Sequence, residues 1–196
     1  MRVKRMFGLV TALLVVTAWG VAPAGAATPV QTCTGPSPTT QSGRATLSPG
    51  LNGLATKQTI SMKISLFSCS PSVTTGGSGT LKGMFTTPTA QTCALITTPR
   101  VLNATVTIGW RNLSTSSLTL TFSLTGPTRL INVTGKVSAG LFAGHLVAGQ
   151  FHYKPVVSPN GGTLSQACAN KVAPGQPGRM SVVALNLFTT HHFTIT

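Results

Sequence analysis

Four histidines, four cysteines and a complete lack of carboxylate side chains set the chemistry open to this 196-residue chain. With no Asp and no Glu, the paired carboxylates of ordinary glycoside hydrolysis cannot be assembled. A Ser-His-Asp triad lacks its third member, although Asn can orient a His in thiol enzymes. Oxygen-rich Ca²⁺ and Mg²⁺ sites lack their charged ligands. His145 and His152 would face opposite sides of one regular strand, and so would the adjacent His191 and His192. A transition-metal site built from His145 or His152 with one terminal His competes with plain polar positions on strands, and the plain reading is preferred. Ser and Thr are too frequent to single out a nucleophile. No G-x-S-x-G occurs, no phosphate-cradling glycine loop precedes a helix, and Gly76-Gly77-Ser78-Gly79 reads as a turn. No catalytic residue, metal or cofactor is therefore assigned, and the chain is expected not to be an enzyme.

The cysteines are Cys33, Cys69, Cys93 and Cys168. An even count in an exported chain reads as two disulfides, with three possible pairings. C-x-x-C spacing is absent and no His lies near a Cys in sequence, which argues against a metal centre. Cys33–Cys69 with Cys93–Cys168 is favoured, because the first bond ties the N-terminal segment to the end of an early strand. Bonded in this way, none of the four is a thiolate nucleophile.

The export expectation comes from residues 1–26. Arg2, Lys4 and Arg5 precede an apolar run from Met6 to about Val21, and Ala24 and Ala26 form an A-x-A exit. That order is a cleavable signal peptide, with the cut after Ala26. No later stretch reaches membrane-spanning length without Gly, Pro or Thr interruptions. Residues 27–54 read as a Thr/Ser/Pro-rich lead-in, and 55–196 as one β domain.

Within that domain, alternation with period two dominates. Ile60, Met62, Ile64 and Leu66 share one face of a strand. Ala104, Val106, Ile108 and Trp110 share another, and Leu118, Leu120, Phe122 and Leu124 return as its hairpin partner. Further strands are expected near 80–86, 130–138, 145–153, 181–188 and 191–196, with a Pro/Gly-rich loop over 155–179. Trp110 is expected in the core or at a strand end. No window shows helical periodicity. About eight or nine strands spaced about ten residues apart predict an all-β antiparallel sandwich or barrel, immunoglobulin-like in general architecture.

The cations beyond the leader are Arg44, Lys57, Lys63, Lys82, Arg100, Arg111, Arg129, Lys136, Lys154, Lys171 and Arg179, none adjacent to another. Net positive charge without carboxylates draws anionic polymers. The scatter along the chain points to diffuse attraction, not to the clustered basic face of a specific nucleic-acid binder. Asn103, Asn112 and Asn132 begin N-x-S/T triplets, which arise by chance in so Ser/Thr-rich a chain.

Several segments match a known pattern: Thr32-Cys33-Thr34-Gly35, Ser48-Pro49-Gly50-Leu51, Ser68-Cys69, Gly79-Thr80-Leu81-Lys82-Gly83, Gly109-Trp110, Ser116-Ser117 and Cys168 in its late loop. The most specific is the run Gly135-Lys136-Val137-Ser138-Ala139-Gly140-Leu141-Phe142-Ala143-Gly144. In these features the chain resembles a group of small secreted all-β actinobacterial proteins of unknown function, with four cysteines and a G-x-V-x-x-G-L-F-A-G stretch. Relatives often carry an acidic residue after that stretch, where this chain has His145. The resemblance implies export, an all-β fold and two disulfides; it implies no activity.

The expectation is thus a secreted or cell-envelope-associated protein, binding or structural, with affinity for anionic envelope polymers. The alternative is a secreted inhibitor or effector acting on an extracellular protein, suggested by the loop around Cys168.

Overall fold

A computed structural model describes residues 30–35, 39–159 and 162–196. The expected leader, residues 1–26, lies outside the described residues. In chain order the elements are β1 (Gln31–Thr34), β2 (Gly43–Leu51), β3 (Thr59–Ser70), α1 (Ser72–Thr75), β4 (Gly79–Thr86), α2 (Ala94–Thr97), β5 (Arg100–Trp110), β6 (Thr115–Leu124), β7 (Leu130–Gly140), β8 (Leu146–Ser158), α3 (Leu164–Ala169) and β9 (Ser181–Ile195).

Strands β2 to β9 pair with their neighbours in chain order, all antiparallel, and β9 returns to pair with β2. The result is a closed eight-stranded barrel, the second of the two architectures expected from the sequence. Its strands run up and down around the ring in chain order and do not cross between two sheets as in an immunoglobulin domain. β1 is the extra strand. It sits between β3 and β9, with Thr34 opposite Phe67 and Cys33 opposite Phe193, and so continues the stave that β2 occupies lower down.

The expected lead-in over 27–54 is corrected by this arrangement: β1 and β2 both fall inside it and complete the wall. Their Thr, Ser and Pro content masked an alternation in which Ala45, Leu47 and Leu51 point inward and are buried. The two short strands expected at 181–188 and 191–196 are one strand, β9. Register shifts against β8 around Gln150 break the alternation there without ending the strand.

The inward faces of β3, β5 and β6 are those expected from period two, and all twelve named residues are buried. Outward positions such as Thr105, Thr107 and Thr119 are exposed. An apolar inside and a polar outside invert the pattern that a membrane-spanning barrel presents. No helix among the described residues is long and apolar enough to cross a membrane.

Both ends of the barrel are stoppered. At one, the single turn α2 drops Leu95 and Ile96 inside, each 2% exposed. Tyr153, fully buried on β8, holds that turn by donating its phenolic hydrogen to the Ile96 carbonyl at 2.6 Å. Cys93, at the start of α2, is bonded to Cys168 on α3.

At the other end, the run Gly140-Leu141-Phe142-Ala143-Gly144 turns from β7 into β8. Gly140 (φ +83°), Phe142 (φ +66°) and Gly144 (φ +89°) are all left-handed. A Cβ on Gly140 would lie 2.2 Å from the Thr115 carbonyl oxygen, so only glycine fits there. The turn places Phe142 edge-on to Trp110, with ring centroids 5.8 Å apart. Trp110 Nε1 donates to Ser116 Oγ, which in turn donates to the Leu141 carbonyl.

Candidate functional site

The cysteine thiols are all spent: Cys33 is bonded to Cys69 and Cys93 to Cys168, the favoured pairing, and no described cysteine is free. The first bond joins neighbouring strands β1 and β3. The second clamps the α2 stopper to the long segment between β8 and β9.

The histidines do not converge. His145 lies in the β7–β8 turn with its ring edge-on to Phe142, and His152 lies on β8 against Phe188. His191 and His192 are exposed on β9. Register sets His191 opposite Gln150, near the level of His152. Among the described residues, no three His, Cys, Asp or Glu side chains are grouped to hold a metal.

The basic residues, scattered in sequence, are only partly scattered in space. Arg44 on β2 stands directly opposite Lys63 on β3, and Lys63 directly opposite Lys82 on β4. On the other flank Arg44 pairs across to Asn186 on β9, and Asn186 to Lys154 on β8. All four cations are exposed on the outer face. Adjacent strands are about 4.8 Å apart, so Lys154, Arg44, Lys63 and Lys82 form a belt about 19 Å long across the wall. The other seven are spread over turns and remaining strands.

Alternation explains why they point outward: their neighbours Ala45, Met62, Ile64 and Leu81 take the core side. Like charges directly opposite on adjacent strands repel, and the chain has no carboxylate to place between them. Asn186, between Lys154 and Arg44, has its Oδ1 buried without a hydrogen-bond partner. Beside the belt, Ser61, Lys63, Lys82, Met84 and Thr107 border a shallow depression of about 450 Å³, with Met62 and Gly83 beneath.

A fifth cation is unusual in another way. Arg179 Nη2 donates to the Gly50 carbonyl at 2.8 Å, while Nε and Nη1 are buried without partners. Burial pushes its pKa down from the usual arginine value. Inside the barrel, a cavity of about 40 Å³ is lined wholly by apolar side chains, among them Ala45, Met62, Phe85, Leu95, Leu102 and Phe122. Its lining offers water no hydrogen-bond partner.

Ammonium and guanidinium groups in line offer permanent charge and N–H donors to repeated anionic groups. No family model, curated protein or solved structure matches the chain.

Sequence reasoning missed this belt. Arg44, Lys63 and Lys82 are spaced nineteen residues apart each time. In a meander of consecutive hairpins, equally spaced residues share a level when they lie midway between the turns, as Lys63 does, and that was the available signal.

Proposed function

We propose that this is an exported, non-enzymatic protein of the cell surface or its surroundings that binds linear anionic polymers of the envelope, such as phosphodiester chains. The observation that carries this reading is the cross-strand belt of Arg44, Lys63 and Lys82, extended by Lys154, in a chain devoid of carboxylates. Juxtaposed like charges oppose folding, and a bound polyanion reverses that repulsion. Export is supported by the basic, apolar and small-residue order of residues 1–26 and by the two disulfides, which persist in oxidising compartments.

The experiment is retention of the purified protein on immobilised polyphosphate and on purified cell wall across a salt gradient. Two triple variants of equal charge are compared: Arg44→Gln/Lys63→Gln/Lys82→Gln and Lys57→Gln/Arg111→Gln/Lys171→Gln. Loss of retention in the first alone supports the belt. Equal loss in both means diffuse charge and no site, and no retention of the unaltered protein at low salt ends the reading.

A second reading, an inhibitor or effector acting on an extracellular protein, is supported by one segment. Residues 173–178 are consecutively exposed, beside the Cys93–Cys168 bond and the Asn170 Nδ2 to Gly178 carbonyl hydrogen bond. A braced loop presents its backbone at low entropic cost. Absence of inhibition across a panel of secreted proteases at micromolar protein removes this reading.

A further inference from the structure

Among the described residues, the ladder between β4 and β5 stops short of the ends of both strands. β4 pairs with β5 only from Gly79 to Lys82, against Trp110 to Thr107. Beyond that level β4 continues to Thr86 paired with β3 alone, and the Arg100–Val106 part of β5 is paired with β6 alone. Residues 83–86 and 103–106 therefore face each other as two unpaired strand edges, with 100–102 beyond the end of β4.

What fills the seam is apolar. Phe85 reaches inward and stacks on Phe122 of β6, with centroids 6.4 Å apart and planes 13° apart. Leu102 lies beside it, and both Phe85 and Leu102 are only partly buried. The outer rim carries Met84, 72% exposed, and Val101, 63% exposed. Phe85 and Leu102 also line the 40 Å³ interior cavity, so they separate it from the seam. At Gly83 the two strands stay in close contact, since a Cβ there would lie 2.5 Å from Val106 Cγ1. Met62, opposite Gly83, borders both the interior cavity and the outer depression.

Lys82 makes the last β4–β5 pair before the seam opens, and Lys63 is its direct neighbour. A stretch of unpaired, apolar-filled wall thus begins where the basic belt ends. We infer that the seam binds a single-chain anionic amphiphile. The alkyl end enters between β4 and β5 past Phe85 and Leu102, and the anionic head rests on Lys82 and Lys63. This inference rests on the anion-binding reading and adds the apolar part of the ligand. The cavity admits a few methylenes and no more, so the gain from chain length is finite.

The test is calorimetric titration of the purified protein with ethyl, butyl, hexyl, octyl and decyl phosphate, all below their micelle concentrations, with polyphosphate titrated in parallel. Affinity is expected to rise roughly fourfold per methylene at first and then to level off within the series. Ala45→Leu, which fills the cavity from β2, should flatten the series while leaving polyphosphate affinity unchanged. Met84→Lys at the rim, an exposed position that leaves the core intact, should weaken octyl phosphate at least tenfold relative to ethyl phosphate. A series with no chain-length dependence, beside retained polyphosphate binding, overturns the amphiphile site and leaves the belt standing. Chain-length dependence unchanged by both variants overturns the seam as its location. Failure of both phosphate classes overturns the anion-binding reading itself.

Discussion

The phenolic hydroxyl of Tyr153 donates to the Ile96 carbonyl at 2.6 Å and also lies 3.3 Å from the Gly126 carbonyl. One side chain from β8 therefore anchors the α2 stopper and the turn between β6 and β7. Burial pushes the Tyr153 pKa above its ordinary value of 10.0, and Arg129 offsets only part of that shift. The raised pKa means the unfolded chain releases this proton first. Stability from Tyr153 is complete below pH 10 and falls as pH rises beyond it, by at most about 1.4 kcal/mol per pH unit. As the chain's single tyrosine, its ionisation is readable by ultraviolet difference absorbance. Onset of tyrosinate at an ordinary pH in the folded protein would contradict the burial. Tyr153→Phe leaves the Ile96 carbonyl unsatisfied and should cost about 1–2 kcal/mol, measured by denaturant unfolding below pH 9.

The Cys93–Cys168 bond spans 75 residues and fixes the same stopper. Loop-closure entropy assigns about 4 kcal/mol to a loop of that length. The double variant Cys93→Ala/Cys168→Ala should lower stability on that scale. It should also increase amide exchange at Leu95 and Ile96 before exchange rises elsewhere. Uniform acceleration across all strands would show that the bond does not act on α2 in particular.

Lys63 faces Arg44 on one side and Lys82 on the other. Lys63→Gln removes two repulsions and should raise Tm at low ionic strength. The gain should vanish near 1 M salt, where the Debye length is about 3 Å. An equal gain at both ionic strengths would assign the effect to strand propensity and remove the charge argument. For polyphosphate binding, the same substitution should lower the slope of log K against log salt by about one.

Gly140→Ala places a methyl group against the Thr115 carbonyl oxygen in a left-handed conformation. The β7–β8 turn must then shift and lift Phe142 from Trp110. Trp110, 3% exposed, should emit at longer wavelength in this variant. An unchanged spectrum with unchanged Tm would show that the turn tolerates a side chain.

The strands with unbroken alternation were legible directly. Ile60 to Leu66, Ala104 to Trp110 and Leu118 to Leu124 announce their inner faces, and the disulfide pairing is the one favoured among three for tying the N-terminal segment to the end of an early strand. Where alternation is interrupted, composition misled. Thr, Ser and Pro around Ala45 and Leu47 suggested a loose segment, and the bulged stretch from Thr189 to His192 suggested two strands. Ala94-Leu95-Ile96 is too short to show a helical period, so its apolar run was visible while its role as a stopper was not. The basic belt depends on register between residues nineteen apart, which is a property of hairpin geometry and not of local sequence. The β4–β5 seam is a missing ladder, and a ladder's absence leaves no mark on either strand.

Closure of the ring has a consequence in time. Apart from β1 against β3, every other wall contact joins successive strands, but β2 and β1 meet β9 only after the fifteen residues of Ser181–Ile195 are available. Without β9, the edges of β2 and β8 that it pairs would be bare, each a template for sticking to other chains. The final strand acts as a clasp, and a molecule cut short of it should assemble into aggregates instead of persisting as a weakened monomer.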